Sequence, residues 1–176
     1  MKKIKNQTLN DVLIFIIKLN IFLIPIYIIP TMNTSLYFLQ KFIAISVLDI
    51  LKFFGIKASL SGLLLTIETV SGSFGGFIDF DCTGWKSIVV FLALIFSTPS
   101  KLKDKLSGIV LSPIFIFANI MRISLVFLSV SIFGPESFNY IHYISWIFLL
   151  VLIILLWIGW IKLRKIKCLK FQENRT

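Results

Sequence analysis

Histidine occurs once in this chain of 176 residues and cysteine twice, and 8 acidic residues stand against 18 lysines and arginines. One imidazole and two thiols leave little for a metal centre, and Asp79, Asp81, Cys82 and His142 lack the spacing of a ligand set, so neither a metal nor another cofactor is expected. Residues 26 to 36 offer no small-x-small cleavage site after the MKKIK start, and the apolar run is too long for a secretory h-region. A retained anchor is expected there. The basic residues are not interleaved with exposed aromatics on a polar face, which removes the nucleic-acid reading of the +10 net charge. Neither an internal repeat nor a low-complexity tract breaks the chain, so one domain is expected over 1–176.

What the chain has in abundance is apolar length. It is 57% hydrophobic, far above the share of a soluble domain, and reads as an integral membrane protein. Segments 12–32, 106–133 and 142–161 can each cross a hydrocarbon core of about 30 Å, which takes roughly 20 helical residues. Segment 84–98 is shorter, and spans if Trp85 and Lys86 sit at headgroup level.

The basic residues bracket these segments. Lys2, Lys3 and Lys5 precede the first; Lys101, Lys103 and Lys105 follow the 84–98 stretch; Lys162, Arg164, Lys165, Lys167, Lys170 and Arg175 close the chain. The positive-inside rule puts all three groups in the cytoplasm. An even number of crossings then separates the N-terminus from the 99–105 loop, so 36–54 does not cross. Lys41, Asp49 and Lys52 share one narrow face of that segment, which suits a helix lying in the outer interface. The competing reading, with 36–54 spanning and the N-terminus outside, breaks the rule at Lys2, Lys3 and Lys5.

Residues 55–82 alternate like strands. Thr66 and Glu68 face one way and Leu65 and Ile67 the other, SGSFGG supplies turn glycines, and FIDFDC alternates again into Cys82. The expected fold is an all-α polytopic membrane protein: about four transmembrane helices, an outer interfacial helix and a small extracytoplasmic β-hairpin. The expected setting is a plasma membrane, with both termini cytoplasmic and the functional site outside.

This topology puts Cys82 and His142 at the same outer surface and Cys168 at the other, so the two thiols do not pair. With no resolving thiol on its side, Cys82 is a poor redox group. At a helix N-terminus, with Lys86 four residues on, it is expected to favour thiolate. Arg122 lies inside a span, at a cost of at least about 2.5 kcal/mol, and is a functional candidate on that ground. Asn119, three residues earlier, can orient it, and Glu136 or Asp79 could pair with it structurally. Were 106–133 one helix, Arg122 would lie about 16 Å from its outer end. Either that helix ends early, or Cys82 and His142 sit in a depression. A thiol, an imidazole and a guanidinium form the minimum set for cysteine acyl transfer. Two other readings stand beside it: a small transporter or channel subunit using Arg122 as an anion site, and a non-enzymatic membrane scaffold.

CTGWKS at 82–87 resembles the Cys-Ser/Thr-Gly motif of the exosortase and archaeosortase family. NIMRIS at 119–124 resembles that family's Asn-x-x-Arg segment, and His142 its downstream histidine. Asp81 stands where the resemblance leads one to expect a small residue. The resemblance implies a membrane-embedded cysteine transpeptidase with Cys82 as nucleophile, His142 as general acid/base and Arg122 as oxyanion or substrate stabiliser, supported by Asn119, Lys86, Thr83 and Gly84. It implies partners too: membrane-anchored substrate proteins ending in a short motif, an apolar helix and basic residues, and an acceptor that is an amine, such as a lipid headgroup, or water.

Overall fold

The computed structural model describes residues 2–31, 36–69 and 72–173, with side chains described over 9–31, 36–69 and 72–164. The basic residues at 2–5 and 165–175, and Cys168, lie outside the described side chains. The elements in order are α1 (Lys2–Thr31), α2 (Tyr37–Phe53), β1 (Ala58–Ser61), β2 (Leu64–Thr69), β3 (Gly72–Phe77), a 3-10 turn (Phe80–Thr83), α3 (Trp85–Ser97), α4 (Leu102–Ile109), α5 (Ile114–Phe133) and α6 (Ser137–Glu173). Among the described residues three stretches are long and apolar enough to cross a membrane: Leu9–Thr31, Leu102–Phe133 and Ser137–Arg164. Helix α3 is apolar but shorter. The chain is a polytopic helical membrane protein with a small antiparallel sheet.

The stretch 106–133 is not one helix. It breaks at Val110–Pro113 into a tight turn, where the Leu111 and Ser112 N–H groups donate to the Gly108 and Ile109 carbonyls three residues back, and Pro113 has no N–H with which to continue a ladder. Helix α5 then runs unbroken for 20 residues.

Contacts gather the chain into two compact units. One holds Met1–Asn33, Lys86–Pro113 and Leu152–Thr176. Its helix α1 is apolar on every side and largely exposed, as suits a lipid-facing span. Aromatic contacts tie its helices together: Phe15 stacks on Trp157 at 6.0 Å and Phe22 lies 5.6 Å from Phe96. The basic loop and the end of α6 are joined as well, by Trp160 Nε1–H donating to the Asp104 carbonyl at 3.1 Å and Arg164 donating to the Pro99 carbonyl at 3.1 Å.

The other unit holds Thr34–Trp85 and Ile114–Val151. Its core joins Ile43, Ala44, Val47 and Leu51 of α2, Leu65 and Ile67 of β2, Ile78, and Ile120, Ile123, Phe127 and Val130 of α5. Lys41, Asp49 and Lys52 stay on the exposed side of α2. The sheet order is β1-β2-β3, all antiparallel, so the expected hairpin is one part of a three-stranded meander. Leu65 and Ile67 point into the core and Glu68 away from it, as their alternation requires. The strand expected over 77–82 lies elsewhere. Gly72–Gly76 of SGSFGG, read from the glycines as a turn, lie in β3, and the chain leaves the sheet after Phe77. Gly76 makes this workable: a Cβ there would stand 2.7 Å from the Phe127 ring, so only a bare backbone can lie on α5 at that point.

Candidate functional site

The site is assembled entirely within the second unit. Asp79 starts it, because its Oδ1 accepts from the Phe80 N–H and its carbonyl from the Cys82 N–H at 3.0 Å, winding residues 80–83 into a 3-10 turn in place of a strand. The buried Thr83 hydroxyl donates to the Phe80 carbonyl at 2.8 Å and closes the turn. Gly84 ends it in the left-handed region, at φ 77°. A Cβ on Gly84 would lie 2.9 Å from Cβ of Asn119, so conformation and close approach both demand glycine. Across this contact Asn119 Nδ2 donates to the Cys82 carbonyl at 2.6 Å. The Cys-Thr-Gly and Asn-x-x-Arg segments are therefore two halves of one packed joint.

That joint decides the alternatives left by the position of Arg122. Helix α5 does not end early; the Cys82 segment instead meets it at Asn119, about 21 Å along the helix from Phe133. Cys82, Arg122 and His142 together border a cavity of about 100 Å³, walled by Gly76, Phe77 and Ile78 on one side and by Ile123, Val126, Phe127 and Phe138 on the other.

Arg122 is 4% exposed, and its guanidinium carbon lies 4.9 Å over the ring of Trp146. Among the described residues it forms no ion pair, with Glu136, Asp79 or any other carboxylate, and its buried Nε has no hydrogen-bond partner. Asn119 does not orient it, being committed to Cys82. His142 stacks on Phe138 at 5.4 Å, and its Nε2 accepts from Trp146 Nε1–H at 3.0 Å. An indole N–H only donates, so the proton of the neutral imidazole resides on Nδ1.

Two electrostatic expectations are corrected. Cys82 does not begin a helix: it lies in the 3-10 turn, Gly84 intervenes, and α3 starts at Trp85, so Lys86 is not one helical turn from the thiol on a common face. Burial pushes the Cys82 thiol above its ordinary range; a hydrogen bond with the Asp79 backbone and the Arg122 charge pull it back, and the Asp79 and Asp81 carboxylates push it further up. The resting group is a thiol. Among the described residues no three His, Cys, Asp or Glu side chains come together to hold a metal ion.

Trp146 is the residue that sequence reasoning missed. Its signal was present in its spacing, because Phe138, His142 and Trp146 stand four apart on one face of α6.

A family model described as transmembrane exosortase (Exosortase_EpsH) matches residues 7–159. The chain belongs to the transmembrane exosortase family. No curated protein and no solved structure matches it. Membership carries a membrane location and a transpeptidase-like role in general, acting on membrane-associated proteins that bear sorting signals.

Proposed function

We propose that this exosortase is a cysteine transpeptidase that cleaves C-terminal sorting signals of exported proteins at the outer membrane face. Sγ of Cys82 attacks the peptide carbonyl just above the substrate's own membrane helix. The Arg122 guanidinium offsets the charge developing on the carbonyl oxygen, His142 Nε2 gives up the Trp146 N–H to take the thiol proton, the C–N bond breaks, and that proton passes to the leaving amine. A thioester on Cys82 remains. An acceptor amine, such as that of a lipid headgroup, or water then attacks it, frees the product and returns the proton to sulfur.

The single observation that carries this reading is the shared cavity of about 100 Å³ bordered by thiol, imidazole and guanidinium. Arg122, buried and with no carboxylate partner among the described residues, is further support, since it leaves a positive charge to meet an oxyanion. The positive charges support a cytoplasmic location for both termini, and the contact of Arg164 with Pro99, which brings two of the basic segments together, agrees with it.

The test is processing of a reporter that ends in an extended linker, an apolar helix and a basic end, co-expressed with the wild-type chain or Cys82→Ala. Cleavage by the wild type and none by the folded variant is expected. Equal processing by both rejects thiol catalysis and leaves the scaffold or transporter readings.

A further inference from the structure

We propose that the free edge of β3 takes up the substrate as a fourth strand and delivers it to the cavity, an inference that rests on the transpeptidase reading. The ligand class is an extended polypeptide, recognised through its backbone.

Two hydrogen bonds fix which groups of β3 face outward. Glu68 N–H donates to the Lys57 carbonyl, on the β1 side, so in the pair Glu68↔Ser73 the polar groups of each residue turn away from the other strand. Ile78 N–H donates to the Leu63 carbonyl, back across the hairpin. Alternating between these points, Ser73, Gly75 and Phe77 present their N–H groups to the open edge. Among the described residues no hydrogen bond engages those three donors. A lone open edge is a site at which a further strand can pair, and proteins commonly blunt such edges with lysine, proline or a bulge. The sequence GSFGGF does none of this.

Gly75 adds to the case. Gly76 is demanded by the Phe127 ring, but Gly75 has neither a positive φ nor a close neighbour: a Cβ there would meet nothing nearer than 3.6 Å. Folding gives no reason for glycine at that position, whereas an approaching backbone does. The edge also leads to the chemistry, since Gly76, Phe77 and Ile78 wall the cavity that Cys82, Arg122 and His142 border. A strand paired about 4.8 Å from β3 would run past the cavity mouth with alternate residues facing it.

The experiment uses the full chain in liposomes and the reporter described above, prepared with an all-amide linker or with single linker amides replaced by esters. Gly75→Pro or Ser73→Pro, each removing one outward N–H, is expected to raise KM roughly tenfold with kcat changed less than about threefold. Ala58→Pro, at the opposite edge of the sheet, is expected to leave both constants unchanged. On the wild type, esters at alternate linker positions are expected to raise KM while those between do not. Wild-type KM in a folded Gly75→Pro, or ester effects without alternation, overturns the strand-pairing proposal. Should the proline variants fail to fold, the ester series alone decides. Cys82→Ala separates the two levels: if it abolishes cleavage while the edge variants behave as wild type, catalysis stands and the docking mode falls. Undiminished cleavage by Cys82→Ala, or no cleavage by the wild type, overturns both.

Discussion

The side-chain amide of Asn119 donates to the main-chain carbonyl of Cys82 at 2.6 Å, joining positions 37 residues apart. Removing it in Asn119→Ala leaves a partly buried carbonyl without its donor and opens space beside Gly84, at a cost of about 1 to 3 kcal/mol. Thermal unfolding in detergent should show a lower midpoint, and Asn119→Asp should do no better, because a carboxylate has no N–H to offer. A midpoint equal to that of the wild type contradicts the joint.

Gly84→Ala carries two penalties. The left-handed backbone costs a Cβ-bearing residue about 1 to 2 kcal/mol, and the new methyl meets Asn119 at 2.9 Å. Loss of both stability and reporter cleavage is expected. Gly159→Ala is the matched control, with nothing within 4 Å of the added methyl and a helical backbone, and its unfolding midpoint should stay level or rise.

Reactivity of the Cys82 thiol should follow its environment. Burial holds the proton, so alkylation by a small maleimide is expected to be slow at neutral pH and to keep rising beyond the pH where an exposed thiol levels off. Arg122→Gln removes a charge that favours thiolate and should move the profile to still higher pH. The same shift bears on folding: the thiol is held more tightly in the native chain than in the unfolded one, so its contribution to stability is fully present below the ordinary thiol pKa and is lost as pH climbs through the native one. An unshifted alkylation profile in Arg122→Gln separates the guanidinium from the sulfur.

Trp146 is predicted to be a positioning residue with two separable functions. Trp146→Phe keeps a ring face for Arg122 but loses the N–H that binds His142 Nε2. Since the chain has a single histidine, its imidazole ¹⁵N shifts can be assigned without ambiguity, and they should move from the Nδ1–H form toward a tautomer mixture. Reporter turnover should fall, with an altered pH profile and little change in KM. Unaltered shifts would show that the indole does not set the tautomer.

Much of the architecture was legible. Apolar length and bracketing charge outlined the helices, and the alternation of Leu65, Thr66, Ile67 and Glu68 marked the central strand. The reading failed where side chains outbid backbone pattern. FIDFDC alternates, but Asp79 offers Phe80 and Cys82 local hydrogen bonds and turns them away from the sheet; the glycines of β3 looked like a turn because the Phe127 ring that requires Gly76 lies 51 positions away. At the site, Cys82, Arg122 and His142 were visible as rare residues in an apolar chain. The role of Asn119 was misassigned, because spacing of three on a helix suggests a contact with Arg122 and says nothing of a carbonyl approaching from another segment. Lys86 was misjudged for a related reason: Gly84 breaks the helical register on which the argument depended.

The main chain at Cys82 is held on both sides, its N–H by Asp79 and its carbonyl by Asn119, and neither bond uses the sulfur. Exchanging sulfur for oxygen should therefore leave these two main-chain bonds in place. On the proposed transpeptidase reading, a Cys82→Ser chain would retain cellular clients without cleaving them, and affinity isolation followed by mass spectrometry would turn it into a means of learning which proteins this exosortase family member meets.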